Sequence, residues 1–496
     1  MNLLKDPFIS TTDGKVSLKE ILISDHNYQL QYFFDETQLA MLQLLSSLTT
    51  VLLKPSLDEL KTYLKNGLTS EQYENALGQV ETKWFEDDCF MQSPFPKGAK
   101  VADGPITKLV SGIECGSSGD ASGLFSKPDE VSVVCSDCIH ALNYNLHMNI
   151  KGEYFSFTGA TGIRGGGTIS TLIFRDTLKE TILSNTIAVD HFDSKASLDT
   201  DAETRYMWDL PPSGDVYSAA KIGLERGLFA LAYHIHFLIE DKHNVCDICG
   251  QPSNTVATTF QRLKYSGTYG SKKDGRDKGA GLWLHPYTPR ILRDDGFIYS
   301  ASPSDQNWQS WQELTSYVVG KETNKSTVQP AYIIQQYLML TTKQNVSLLV
   351  GGNIASQGKI IGRVYDLYPM PASLDKKNSR KLTTVIQAGL DQKEKLSAAF
   401  NQLFNKKLVG YDKTFIRGIK EQAIQRFISN AQQIIQKTLL DVDRKEAKQL
   451  QKEAISSLKL EAIQIFKSVQ CKYQHDLPMF KALVKGEAIL FKKIEN

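Results

Sequence analysis

Cysteine is scarce in this chain. Seven among 496 residues, an odd and sparse number, argue against the disulfide framework that staples small secreted domains. Long apolar runs are missing as well: the longest, Leu39 to Leu53, is broken by Gln43, Ser46, Ser47, Thr49 and Thr50, too short and too polar to span a bilayer. The opening residues, Met1-Asn2-Leu3-Leu4-Lys5-Asp6-Pro7-Phe8, show no basic region followed by an apolar stretch, so no signal peptide is visible. A cytoplasmic protein with no membrane partner is expected. Several enzyme signatures are also lacking. There is no HExxH, and no paired-carboxylate or histidine-metal cluster is evident. Gly352 to Gly358 encloses five residues where a P-loop has four, and Ile360 stands where Ser or Thr should follow Lys359. His285, before Pro286, has no base, nucleophile or carboxylate beside it in sequence.

What is present is ordinary in bulk and uneven in detail. The length favours two to four domains. Hydrophobic content of 41% and charged content of 23% are those of a globular protein. The net charge is only +2, but from Asp375 onward about 24 basic residues face about 13 acidic ones, roughly +11, leaving the remainder near −9. A basic C-terminal lobe is therefore either a surface for nucleic acid or another acidic partner, or a solvated lysine-rich helical face.

Four of the cysteines form two pairs, Cys135-Ser136-Asp137-Cys138 and Cys246-Asp247-Ile248-Cys249. Each pair places two thiols on a tight turn, and four thiolates from two such turns make a closed tetrahedral zinc site; the alternatives are two disulfides or unrelated thiols. Ile139 separates Cys138 from His140, so haem attachment, which needs His directly after the second Cys, does not apply. One structural zinc shared by the pairs would fasten a segment of roughly a hundred residues back onto its start, offsetting a sizeable loop-closure entropy.

Along the chain, Val16 to Ile23 reads as a short strand and helix, Asp35-Glu36-Thr37 opens a helix to Leu53 that Pro55 stops, and further helices follow from Ser56 and from Thr69. Residues 111 to 130 are loop-like, with Phe125 and Lys127 as their bulky and basic elements, either a stack for a base or a loop anchor. Gly159-Ala160-Thr161-Gly162-Ile163-Arg164-Gly165-Gly166-Gly167 allows close backbone approach, and Arg164 could pair with a phosphate. Its spacing is not that of a dinucleotide fingerprint. Ile169 to Ile187 reads as strand then helix, and Ala219 to Ile239 as a helix carrying Phe229, Tyr233 and Phe237, with His234 and His236 as ordinary core or surface histidines. Phe260 to Tyr265 alternates as a half-exposed strand does, and Val328 to Leu340 looks helical. Val346 to Val350 and Lys359 to Tyr365 form a hairpin with a long turn, Gly351 to Gly358, carrying Ser356 and Gln357. After Pro369-Met370-Pro371 come four helices, Thr383 to Asn405, Lys413 to Gln436, Leu439 to Gln470 and Leu477 to Ile494, which read as a bundle. The expected fold is α+β: a mixed domain over 1–370 with a four-cysteine zinc site, then a four-helix bundle over 371–496.

The order of these motifs resembles the CasA family, the large subunit of the type I-E CRISPR Cascade surveillance complex. The resemblance is carried by Met1-Asn2-Leu3-Leu4, Phe90-Met91-Gln92, both cysteine pairs, Gly162-Ile163-Arg164-Gly165-Gly166, Ile222-Gly223, Arg226-Gly227-Leu228-Phe229, Cys249-Gly250-Gln251, Gly281-Leu282-Trp283, His285-Pro286 and Gly351-Gly352. It implies a binding subunit in antiviral defence, not an enzyme. Such a subunit inspects duplex DNA for a protospacer-adjacent motif, promotes strand opening for guide RNA pairing, and recruits a separate helicase-nuclease beside the other Cascade subunits. The alternative is a zinc-stabilised nucleic-acid-processing enzyme such as a nuclease. By position, Lys264 matches the family's minor-groove lysine, Gln357 the wedge glutamine with Ser356 as polar partner, and Phe125 the loop aromatic at the guide RNA 5′ end and a neighbouring subunit. One stretch departs from the pattern. Where the family has a glycine loop, this chain has Tyr154-Phe155-Ser156-Phe157, so either the loop has shifted to Gly159–Gly162 or the groove contact differs.

Overall fold

The computed structural model describes the chain except for residues 111–129, 151–161, 165–167, 193–205, 212–215, 219–221, 266–267, 274–275, 279–282, 294–297, 302, 304–307, 341–345, 357–358, 405–410 and 492–496. The chain divides into two units. The first comprises Met1–Gln306, Gly320–Thr341 and Ser347–Asp366; the second comprises Asn307–Val319, Thr342–Val346 and Leu367–Asn496.

The first unit opens with a small hairpin, β1 (Ile9–Thr11) and β2 (Gly14–Val16), and helix α1 (Leu18–Ile23), whose N-cap Ser17 forms a capping box with Glu20. Helix α2 (Asp35–Leu53) then runs through the core, with every residue from Glu36 to Leu52 buried except Gln38. The polar residues that interrupt its apolar run are satisfied in place. Ser46, Thr49 and Thr50 donate to the carbonyls of Leu42, Leu45 and Ser46, and Gln43 donates to Ser170 Oγ at 2.8 Å. Burial of such hydroxyls costs little once each has its acceptor. The helix ends at Lys54 in the left-handed region (φ 42°), just before Pro55. Capping boxes Ser56/Glu59 and Thr69/Gln72 start α3 (Leu57–Asn66) and α4 (Ser70–Leu77), as the sequence leads one to expect. No single helix among the described residues is long and apolar enough to cross a membrane.

The principal sheet is built on one long strand, β8 (Pro252–Lys264). Along one edge it pairs antiparallel with β7 (Tyr233–Val245), from Val245 opposite Pro252 to Tyr233 opposite Lys264. Along the other edge it pairs with β3 (Ala102–Pro105) and β4 (Val134–Cys135). Strand β7 corrects the expectation of a helix over Ala219 to Ile239. Among the described residues there, only α7 (Leu224–Leu228) is helical. The aromatics at 229, 233 and 237 have helical spacing, but Ile235, His236, Phe237 and Leu238 alternate buried and exposed, and that period of two prevails. From β4 the chain enters α5 (Ser136–Met148), every residue of which from Asp137 onward is buried.

A second sheet orders β16 (Lys359–Met370), β15 (Val346–Ser356) and β5 (Ile169–Phe174), the last followed by α6 (Leu178–Asn185). The hairpin is present, but β15 continues through Gly351 to Ser356, so the connection is shorter than the turn expected over Gly351–Gly358. Gly352, at φ 147°, permits this. A Cβ there would lie 2.4 Å from the Thr168 carbonyl oxygen across the ladder. Arg363 of β16 is paired with Asp35 at 3.1 Å and Glu36 at 3.6 Å, which ties the hairpin to the first turn of α2. Two smaller sheets comprise β6 (Val216–Ser218), β9 (Thr268–Lys273) and β10 (Arg276–Lys278), and β11 (Arg290–Arg293), β12 (Ile298–Ser300), β13 (Lys321–Glu322) and β14 (Ser326–Gln329). The helical expectation over Val328–Leu340 holds only beyond Pro330, for α9 (Tyr332–Met339).

In the second unit, α8 (Leu314–Val318) precedes the four long helices α10 (Lys376–Phe400), α11 (Lys413–Leu439), α12 (Ala447–Lys472) and α13 (Leu477–Phe491). Their apolar seams, such as Phe427, Ala431 and Ile435 on α11 and Leu450, Ala454 and Leu458 on α12, are buried. Trp311 enters this core, donates from its indole nitrogen to the Ile428 carbonyl at 3.0 Å, and lies over Gly389.

One buried histidine couples the first unit's stability to pH. His147 of α5 accepts the Ala232 amide proton on Nδ1 at 3.0 Å, so its own proton sits on Nε2. Burial lowers its pKa from 6.5 to about 3. The unfolded chain therefore takes up a proton below pH 6.5 that the fold refuses until about pH 3. The contribution is fully present above 6.5 and is lost as pH falls through that window, at about 1.4 kcal/mol per pH unit. Denaturant titrations of His147→Gln are expected to show a shallower loss between pH 6.5 and about 4.5 than the parent. Parallel curves would contradict this account.

Candidate metal centre and nucleic-acid surface

The two cysteine pairs meet on the principal sheet. Cys135 ends β4 and N-caps α5, which places Cys138 in the first helical turn. Cys246 and Cys249 occupy the tip of the β7–β8 hairpin, where the Cys246 amide donates to the Gln251 carbonyl at 3.0 Å and the Gly250 amide to the Cys246 carbonyl at 2.8 Å. Because β4 is in register with β8, Cys135 opposite Val256, the two turns converge. All four Sγ atoms lie within 4.8 Å of one another and all four residues are buried. Cys135 and Cys249 sulfurs are 4.0 Å apart, far beyond the ~2.05 Å of a disulfide. A tetrahedral ion with bonds of about 2.3 Å sets its sulfurs about 3.8 Å apart, so this arrangement fits zinc.

Surrounding groups hold the sulfurs in place. The Cys135 and Ile248 amides donate to Cys246 Sγ at 3.2 and 3.4 Å. The Asp247 carboxylate accepts from the Ser132 amide and hydroxyl and from the Val133 amide, and Asp247 N–H returns to the Val133 carbonyl, which clamps the second turn to the segment leading into the first. Lys15 is salt-bridged to Asp137. Gly250 adopts φ 74° with Phe33 over it, and a Cβ there would come within 2.6 Å of the ring. Four thiolates gathered in one buried site require a cation to supply the opposing charge.

The residues expected to meet nucleic acid fare differently. Lys264 is the last residue of β8 and is half-buried. Ser356 is the last residue of β15. Gln357, Gly159, Phe125 and Lys127 lie outside the described residues. Gly162 is buried, and a Cβ on it would meet the His147 carbonyl oxygen at 2.7 Å, so close packing explains its glycine.

Arg164 corrects the expectation of a phosphate contact. Its side chain is buried and its guanidinium is spent inside the fold, donating to Thr288 Oγ1 at 2.8 Å, Asn149 Oδ1 at 2.5 Å, Ser170 Oγ at 2.8 Å and the Met148 carbonyl at 3.1 Å. Burial lowers its pKa to about 10. The same network takes in Gln43, which Asn149 meets at 2.8 Å, and Asn145, which donates to Glu36 at 3.3 Å. Arg164 thus joins α2, α5 and β5.

Other motif residues are likewise architectural. Trp283 donates to the Ile222 carbonyl at 3.0 Å, and a Cβ on Gly227 would lie 2.1 Å from its ring. His285 is buried beside Trp283 and Tyr287. Phe90 packs against Phe85, Trp208 and Phe229. Sequence reasoning does not single out Ser93 and Tyr265, which cluster with His234 beside Lys264.

The sequence matches the family described as CRISPR-associated protein Cse1 over residues 2–465. The fold is similar to that of Thermus thermophilus CasA (Cse1), with 15% identity, a TM-score of 0.71, and coverage of 99% of this chain and 98% of that one. It is similar to Cse1 of Acidimicrobium ferrooxidans, with 13% identity, a TM-score of 0.68, and coverage of 99% and 97%. A chain of a CRISPR RNA-guided surveillance complex is similar at 14% identity, with a TM-score of 0.67 and coverage of 99% of each.

Proposed function

The chain belongs to the Cse1 family of CRISPR-associated proteins, and from this premise we propose that it is the DNA-inspecting large subunit of an RNA-guided surveillance complex. The observation that carries the reading is the extent of the family match, which spans both cysteine turns, the Lys264 strand and the β15–β16 hairpin. One similar chain is a component of a CRISPR RNA-guided surveillance complex. In this reading Lys264 probes the minor groove for the protospacer-adjacent motif, where base-edge readout is degenerate. Gln357, with Ser356, acts at the hairpin connection to open the duplex, so that guide RNA pairs with one strand; base pairing then reads the remaining sequence. Phe125 and Lys127 contact the guide RNA 5′ end or a neighbouring subunit. A separate helicase-nuclease is recruited after opening. The basic excess after Asp375 adds a sequence-independent attraction to the nucleic-acid backbone.

Zinc is the ion proposed for Cys135, Cys138, Cys246 and Cys249, in a structural role. Four sulfurs close the coordination sphere, whereas a hydrolytic zinc keeps a position open for water, which disfavours the nuclease alternative. The test is to assemble the guide RNA complex from its other subunits with and without this chain, and to titrate it with motif-bearing duplex. Motif-dependent duplex binding is expected only with the chain present. Equal binding without it, or metal-dependent cleavage by the chain alone, would overturn the reading.

A further inference from the structure

Lys264 stands where β8 stops, and a long flexible side chain at a strand terminus has little of its own to aim it. The next residue is held differently. Tyr265 is buried, and its hydroxyl lies 2.8 Å from Ser93 Oγ. Ser93 Oγ is in turn 3.0 Å from Nδ1 of His234, also buried. The His234 ring also hydrogen-bonds the backbone of Pro94. The two hydroxyls and the imidazole thus form one continuous hydrogen-bonded chain. His234 and Tyr265 rings pack at a centroid separation of 4.2 Å. The segment that supplies Ser93 is itself pinned: Asn143 donates to the Met91 carbonyl at 3.1 Å, and Gln92 accepts the Phe237 amide of β7 at 3.1 Å.

We propose that Ser93, His234 and Tyr265 are positioning residues, a buried hydrogen-bonded lock that fixes the backbone at the end of β8 and so presents Lys264 to the groove. The lock rests on the reading of Lys264 as the groove-contacting residue. Its effect is on specificity: a lysine presented at one height and angle discriminates between base edges, whereas one on a fraying strand end offers only charge. Without the lock, ordering the terminal residues must be met from binding itself.

The experiment uses the assembled complex with guide RNA and two duplexes, one with the preferred motif and one with that motif scrambled. Tyr265→Phe keeps the ring and removes one hydrogen bond. It is expected to weaken binding of the motif-bearing duplex by roughly two- to tenfold, to leave the scrambled duplex unchanged, and so to lower their ratio. Ser93→Ala should do the same, and serves if Tyr265→Phe fails to assemble; Ser93→Thr, which keeps a hydroxyl, should restore the ratio. Tyr265→Phe should add nothing in a Lys264→Ala background. An unchanged ratio, or a full additional loss on top of Lys264→Ala, overturns the lock while leaving the Lys264 reading intact. Lys264→Ala without effect overturns that reading and the lock with it.

Discussion

Replacing Cys249 with Ser is expected to release the metal and to lower the thermal midpoint by at least about 10 °C, taking ~5 kcal/mol lost at ~2 °C per kcal/mol in a long chain. The size of the effect follows from where the sulfurs stand. Cys135 and Cys249 lie 114 residues apart in sequence, and an ion held by all four sulfurs would join β4, α5 and the β7–β8 hairpin at one point. Removing one ligand leaves three buried sulfurs with no closed sphere, and the hairpin tip loses its attachment to the start of α5. The parent protein should carry about one zinc per chain by elemental analysis. Because the ligands must be deprotonated to bind, acid should release that zinc with uptake of protons. A well-folded parent without zinc, or a Cys249→Ser protein that keeps both its metal and its melting temperature, would contradict the structural role.

The second large effect separates Lys264 from Gln357. Lys264 ends a paired strand and offers a single positive charge. Lys264→Ala is expected to weaken the first duplex encounter by roughly tenfold and to flatten discrimination between motifs. Gln357 follows β15, in a hairpin whose other strand is anchored on α2 through Arg363. Such a support can press a side chain between base pairs, offsetting an unstacking cost of about a few kcal/mol per step. Gln357→Ala should leave the encounter intact and slow strand opening by roughly a hundredfold. Stopped-flow binding with a duplex dye reporter separates the two steps. Equal defects in encounter and opening for both variants would remove the division of roles.

Much of the helical structure is legible in the sequence because its signals are local. Ser56 and Glu59, or Thr69 and Gln72, lie within one turn and start their helices wherever the rest of the chain goes. The cysteine turns are legible for a different reason: four thiols in two pairs have few other uses, although only the register of β4 with β8 shows how they meet. Strand β7 imitates a helix because Phe229, Tyr233 and Phe237 recur at four, while the pairing partner that decides for a strand begins only at Pro252. The role of Arg164 depends on long-range information. Its acceptors Thr288 and Ser170 come from segments 124 and 6 residues away, and nothing in the glycine-rich stretch shows that they converge. The Ser93–His234–Tyr265 lock is invisible in the sequence for the same reason, His234 and Tyr265 lying 141 and 172 residues beyond Ser93.

If this chain inspects and then opens duplex DNA, the most direct measurement is the opening rate on two targets by the assembled, guide-loaded complex. One target is fully paired; the other is mismatched next to the motif, so that the first steps are already melted. Gln357→Ala is expected to be slow on the paired target and restored to the parental rate on the mismatched one, while Lys264→Ala stays impaired on both because its defect precedes opening. Equal rescue of both variants by the mismatched target, or parental rates for both on the paired duplex, would contradict the account.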